Sequence, residues 1–124
     1  MGTIEGIVLI YSKGADWYQS FLHGIEEESV PVQCIAAENE DEITEYDALA
    51  LAKVASKYSV FEIGVGIDDQ KISIRHRLQS EDSPLLEVSR TDDEEIIRLQ
   101  GHNTARIIRK LPLFLDDVRL WRQG

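Results

Sequence analysis

Several things are scarce in this chain, and each shortage narrows what it can be. It holds a single cysteine, Cys34, so no internal disulfide can form and a reducing compartment is expected. Cys34 stands in the apolar run Val32-Gln33-Cys34-Ile35, where it reads as a small buried hydrophobe rather than a reactive thiol. Proline occurs only at Pro31, Pro84 and Pro112, as punctuation between elements and not as a linker. Basic residues are also short: 13 lysines and arginines face 23 aspartates and glutamates, for a net charge of −10. A field of that sign repels phosphate backbones and anionic lipid, so neither nucleic acid nor a membrane surface is an expected partner. No apolar run approaches the roughly 20 residues that span a bilayer. Met1-Gly2-Thr3-Ile4-Glu5 lacks the basic and apolar regions of a secretory signal. Glu5 and the acidic balance argue against a myristoylated Gly2, and the cytoplasm is the expected location.

What is present suits one globular domain spanning residues 1–124. Hydrophobic residues make up 43% and charged residues 29% of the chain, values of a folded protein rather than a disordered one. A chain of this length removes roughly two-thirds of its unfolded surface from water, enough for one core without a metal or disulfide staple.

Ile4 to Tyr11 is rich in β-branched and large apolar residues, as in a strand covered on both faces. After the break at Ser12-Lys13-Gly14-Ala15, Asp16 with Gln19 reads as a capped helix start. Trp17, Tyr18, Phe21, Leu22 and Ile25 recur at helical spacing through Glu28, and Pro31 closes the helix ahead of a strand over Val32 to Ile35. An acidic loop, 38–45, precedes a second helix over 46–57 with Ala48, Leu51, Ala52 and Ala55 as its inner stripe. Residues 60–67 and 71–76 read as two strands joined at Asp68-Asp69-Gln70. On the second of these, Ile72 and Ile74 face one way and Lys71, Ser73 and Arg75 the other, which predicts one covered and one wet face. A strand over 85–88 follows Pro84, and Thr91-Asp92-Asp93-Glu94 has the form of a capping box opening a third helix. Ile97, Gly101, Thr104, Ala105 and Ile108 line that helix's inner face, Arg106, Arg109 and Lys110 suit its negative pole, and Leu111-Pro112 ends it. Residues 113–124 form a C-terminal arm with Leu113, Phe114, Leu115, Leu120 and Trp121 available to pack. The order β-α-β-α-β-β-β-α describes an α/β three-layer sandwich, a mixed sheet of about five strands with helices on both faces.

Catalytic constellations are missing from the pattern. His23, His76 and His102 share no metal-ligand spacing and read as structural or surface histidines. Gly64-Val65-Gly66 lies inside a strand with no helix after it, so it is no phosphate loop; glycine there marks close approach of another backbone. Gly101 inside a helix costs about 1 kcal/mol against alanine, which points to close packing onto the sheet or onto a partner. No serine sits in a G-x-S-x-G elbow.

The most informative segment is Gly24-Ile25-Glu26-Glu27-Glu28. Its three carboxylates fall at the C-terminal end of the first helix, where the macrodipole is negative and disfavours each anion by a few tenths of a kcal/mol. A solvated acidic turn accounts for that. The sharper reading is that one carboxylate meets a cation from outside, either a basic partner side chain or a divalent metal.

In order along the chain, Gly24-Ile25-Glu26-Glu27-Glu28 with Pro31, Ala52 and Ser56, Ile63-Gly64-Val65-Gly66-Ile67-Asp68, His76, Pro84-Leu85 and Gly101-His102-Asn103-Thr104-Ala105-Arg106 resemble the small subunit of diol/glycerol dehydratase-reactivating factors. The same pieces are similar to the medium subunit of the dehydratases themselves, and the likeness runs from about Ile7 to Pro112. It implies the fold of the dehydratase medium subunit core and a subunit with no catalytic site of its own. Its partner would be a large subunit with an actin-like ATPase domain that binds ATP or ADP. Together they would free damaged cobalamin from the dehydratase by subunit exchange, in a hetero-oligomer of the cytoplasm or of a bacterial microcompartment. The resemblance also assigns the middle glutamate of the triplet, Glu27, to a Mg²⁺ site shared with the large subunit, within a partner interface of Gly24, Glu26, Glu27 and Glu28. Departures occur at Gly101-His102-Asn103-Thr104-Ala105-Arg106, where the family usually has Gly-Asn-Asn-Ala-Ala-Arg, and at Ser29, where it usually has glycine.

Two other readings compete. A dehydratase medium subunit would contact cobalamin directly, but those subunits usually carry additional N-terminal sequence. A flavodoxin-like or receiver-like module needs an acidic pocket at the strand ends, whereas the first strand here ends in Tyr11-Ser12-Lys13.

Overall fold

A computed structural model describes residues 4–79 and 83–113. The elements are β1 (Ile7–Tyr11), α1 (Gln19–Glu27), β2 (Val32–Ala36), a short 3₁₀ turn (Ala37–Asn39), α2 (Ala48–Tyr58), β3 (Ile63–Ile67), β4 (Lys71–His76), β5 (Leu86–Ser89) and α3 (Glu94–Arg109). Apart from the 3₁₀ turn, this is the predicted order. The expected C-terminal arm falls, beyond Leu113, outside the described residues.

The strands form one mixed sheet in the order β2-β1-β3-β4-β5. β1 pairs in parallel with β2 and β3, and β4 runs antiparallel to β3 and β5. Alternation along β1 divides the core. Ile7 and Leu9 join Val65, Ile67, Ile72 and Ile74 beneath α1 and α3, while Val8 and Ile10 pack against Leu51 and Ala55 of α2. One helix therefore covers one face and two cover the other, which is the three-layer sandwich. No helix among the described residues is long and apolar enough to cross a membrane.

The glycines of β3 set how closely α2 approaches. A β-carbon at Gly64 would overlap the Ser56 amide nitrogen and lie 2.6 Å from the Ala52 carbonyl oxygen. One at Gly66 would overlap the Ala48 carbonyl oxygen. The expected close backbone approach is thus made by α2.

That approach also corrects the wet face predicted for β4. Ser73 and Arg75 pair in register with Gly66 and Gly64, so they share the face under α2, and they are only 2% and 6% exposed. Buried there, the Arg75 guanidinium donates to the carbonyl oxygens of Ser83 (2.9 Å) and Gln79 (2.8 Å). Alternation of polar and apolar residues reports water only where no helix lies over the polar side.

Two predicted caps are also replaced. Asp16 does not cap α1; the N-cap is Tyr18, with no side-chain bond to the helix. The entry is fixed by aromatic contacts instead, with Trp17 Nε1 donating to the Asp68 carbonyl oxygen at 2.8 Å and the Tyr18 ring 5.4 Å from that of Tyr11. The box at Thr91 is not formed either. α3 starts two residues later, with Asp93 as its N-cap, and Thr91 Oγ1 pairs with Ser89 Oγ at 2.9 Å. By contrast, α2 is doubly capped: Asp47 accepts from Ala50 N at 3.0 Å and Asp68 Oδ2 accepts from Ala48 N at 2.9 Å.

Candidate functional site

α1 and α3 cross in backbone contact. A β-carbon at Gly24 would overlap the Arg98 carbonyl oxygen and sit 2.9 Å from the His102 nitrogen. One at Gly101 would overlap the Phe21 carbonyl oxygen and lie 3.1 Å from the Gly24 α-carbon. Gly101 does pack closely, but against α1 rather than the sheet or a partner expected from sequence, because α1 and α3 lie side by side on the same face. That packing lays one stripe of α3 over the acidic end of α1, because Arg98, His102 and Arg106 are four residues apart and Arg109 three further on.

The triplet's carboxylates meet that stripe differently. Glu27 is exposed, its side chain 39% accessible, and takes a bidentate ion pair from Arg98, itself 54% accessible. Arg98 Nε donates to Oε1 at 2.6 Å and Nη2 donates to Oε2. His102 Nε2 stands 3.7 Å from the same carboxylate. Glu28 is only 10% accessible and sits among three cationic or ionisable groups. His102 Nδ1 lies 2.7 Å from Oε2; a carboxylate only accepts, so that ring nitrogen carries the hydrogen. Arg106 Nε donates to Oε2 at 3.2 Å, and Arg109 Nη1 donates to the Glu28 carbonyl oxygen at 3.0 Å. Hydrogen bonding from Arg98 holds the Glu27 carboxyl below the usual glutamate range, and hydrogen bonding from His102, then Arg106, does the same for Glu28.

The helix-dipole argument is therefore answered from within the chain. These anions stand at the unfavourable pole, but α3 supplies their counter-ions, so the dipole by itself calls for no outside cation. Sequence reasoning assigned Arg106 and Arg109 to their own helix end and passed over Arg98. The signal was there in the four-residue spacing of Arg98, His102 and Arg106 around a helical glycine.

Glu26 is exposed and lines a hollow of about 390 Å³ with His23, Glu27 and Arg98. It also borders a groove of about 560 Å³ against Pro31, Val32 and Cys34. Cys34 is half-buried, and burial pushes its thiol pKa up, which suits the inert role read from sequence. Elsewhere, His76 accepts from Leu78 N at 3.0 Å and lies 3.4 Å from Glu62, a structural arrangement remote in sequence from the triplet.

Among the described residues no group of three or more His, Cys, Asp or Glu side chains could hold a metal ion. Glu27 fits a hard cation such as Mg²⁺ only as one carboxylate of a shared site, being an exposed oxygen donor at a helix end. Both of its oxygens accept from Arg98, so a cation that approaches Glu27 competes with the guanidinium for its charge.

A family model described as dehydratase medium subunit matches residues 6–114. The propanediol dehydratase-reactivating factor small subunit of Citrobacter freundii is 26% identical over 111 residues, covering 89% of this chain and 90% of that protein. A probable glycerol dehydratase-reactivating factor small subunit from the same organism is 31% identical over 90 residues, 72% of this chain and 73% of that one. Among solved structures, a chain of the diol dehydratase-reactivating factor complexed with ADP and Mg²⁺ superposes with a TM-score of 0.81 at 21% identity, over 91% of this chain and 100% of that one, a likeness of fold. A chain of a glycerol dehydratase reactivase gives 0.78 at 28% identity, over 90% and 98%. Taken with a five-stranded mixed sheet between one helix and two, these likenesses mean that the chain belongs to the dehydratase medium subunit family, in the group formed by the small subunits of diol and glycerol dehydratase-reactivating factors.

Proposed function

We propose that this chain is the non-catalytic small subunit of a factor that reactivates a cobalamin-dependent diol or glycerol dehydratase. The observation that carries the reading is its near end-to-end likeness to reactivating-factor small subunits, which leaves little of those relatives unmatched. In this reading a separate large subunit binds and hydrolyses ATP. The small subunit acts by exchanging places with the dehydratase subunit of the same fold, and the exchange loosens damaged cobalamin. The alternative, a dehydratase medium subunit, shares the family but not the names of these relatives.

The proposed docking face is the acidic end of α1; of the four residues expected there, Gly24 is buried against α3 and can only hold the crossing, which leaves Glu26, Glu27 and Glu28. Glu28 is spent on α3, so its role is to fasten that end rather than to touch the partner. Glu26 and Glu27 are the exposed members. Glu27 is the proposed ligand to a divalent cation shared with the large subunit, where the metal would neutralise carboxylates from both chains.

Two measurements test this. Oxygen- or substrate-inactivated dehydratase is incubated with large subunit, this chain, ATP, Mg²⁺ and fresh coenzyme; activity should return only when both subunits are present, with release of the damaged cobalamin seen by its absorbance. Size-exclusion chromatography of the two subunits should show co-elution that EDTA or Glu27→Ala weakens. Failure to co-elute under any condition removes the proposed role; co-elution indifferent to EDTA and to Glu27→Ala removes only the metal bridge.

A further inference from the structure

We propose that Arg98 is a built-in competitor for the Glu27 carboxylate, closing it in the free subunit and setting how much divalent cation is needed for docking. The inference rests on the docking face proposed above and adds a residue and a regulatory role to it.

The contrast between neighbouring glutamates carries the argument. Glu28, 10% accessible, is held by His102, Arg106 and Arg109 together. Three partners in a nearly enclosed place make a fastening that persists. Glu27 has one full partner, and both members of that pair lie at the surface, 39% and 54% accessible. An exposed pair contributes little net stability, because water and salt compensate either charge when it opens. Opening the Arg98 pair is therefore cheap, while opening the Glu28 cluster is not.

Arg98 also has somewhere to go. The hollow of about 390 Å³ beside it is bounded by His23 and Glu26 as well as by the pair itself. A guanidinium leaving Glu27 can stay near the Glu26 carboxylate, so the released charge is not stranded. Glu27 keeps its place meanwhile, because the crossing at Gly24 and the Glu28 cluster hold the end of α1 against α3. A bidentate guanidinium occupies one lone pair on each oxygen and sets a positive charge beside both, so it competes with a divalent cation for the same carboxylate. Assembly then acquires a threshold in cation concentration that a glutamate without such a partner lacks.

The test titrates Mg²⁺ into large subunit mixed with wild-type chain, Arg98→Met, Arg98→Lys or Glu27→Gln, following complex formation by fluorescence anisotropy. Methionine keeps an apolar stem and removes the competing charge; lysine keeps the charge without the fork. The midpoint in Mg²⁺ is expected to fall by up to about fivefold in Arg98→Met, the ceiling for an exposed pair, with Arg98→Lys between it and wild type. In ¹⁵N spectra of the wild-type chain, the Arg98 Nε–H resonance should move toward that of free arginine on docking. An unchanged or raised midpoint in Arg98→Met, or an Nε–H signal that stays put on docking, overturns the competitor role. Should Glu27→Gln keep the wild-type Mg²⁺ dependence, the metal assignment of Glu27 fails on its own account, and the competitor role fails with it.

Discussion

Gly24 and Gly101 meet where α1 crosses α3, so closely that a β-carbon on Gly101 would come within 3.1 Å of the Gly24 α-carbon while overlapping the Phe21 carbonyl oxygen. Both obstacles are backbone and cannot rotate aside. Gly101→Ala should gain about 1 kcal/mol of helix propensity and lose more by forcing the helices apart, for a net destabilisation of about 1–3 kcal/mol. Gly24→Ala should behave alike. The double variant should cost less than the sum, because helices already separated accept the second methyl more easily. Urea unfolding of the three variants measures this; strict additivity would place the strain somewhere other than the shared crossing.

Ser29 leaves α1 with a φ of 61°, in the left-handed region. That conformation costs a side-chain-bearing residue roughly 1–2 kcal/mol, offset in part by glycine's greater freedom when unfolded. Ser29→Gly should therefore raise stability by about 0.5–1 kcal/mol, read as a higher urea midpoint at an unchanged m-value.

The α1–α3 cluster predicts an acid-sensitive fold. Glu27 and Glu28 have folded pKa values below the ordinary 4.5, so as pH falls through that range the unfolded chain takes up protons first. Their contribution is fully present above about pH 5 and is lost as pH drops through the depressed folded values. Stability measured from pH 7 downward should fall more shallowly in Glu28→Gln than in wild type, from a lower starting value because Arg106 and His102 lose their shared acceptor. An acid limb unaltered by the substitution would assign the sensitivity to other carboxylates.

Asp68 connects two elements at once. Its Oδ1 accepts from Gln70 N (2.7 Å) and Lys71 N (2.8 Å) in the β3–β4 turn, and its Oδ2 accepts from Ala48 N at the start of α2. The Asp47 side chain accepts from Ala50 N. Asp47→Ala should cost about 1 kcal/mol, the usual worth of an N-cap, and Asp68→Ala about 2–3 kcal/mol because three donors lose their acceptor together. Thermal melts of the two variants compare them directly.

Local pattern was enough for some features and misled on others. Ile7 to Tyr11 reads as a strand because its β-branched run suits no other buried element, and Gly64 and Gly66 announce a close neighbour because glycine in a strand gives up packing for space. The cap at Asp16 and the box at Thr91 follow spacing rules that hold only if the helix begins where the rule assumes; here Trp17 and Asp93 shift the starts. Ser73 and Arg75 alternate as solvent-facing residues do, yet lie beneath α2.

By itself, the order of apolar runs, glycines and prolines determined the elements, their sequence and the layered architecture, since hydrophobic period and backbone freedom are properties of neighbouring residues. The tertiary structure alone decided which carboxylate of the triplet is enclosed and which is open. Glu27 and Glu28 are adjacent and chemically identical, and what separates them is where α3 lies against α1, with Arg98 reaching the outer acid and His102, Arg106 and Arg109 gathered around the inner one. Ion pairing between residues some seventy positions apart depends on distances that only the packed helices define.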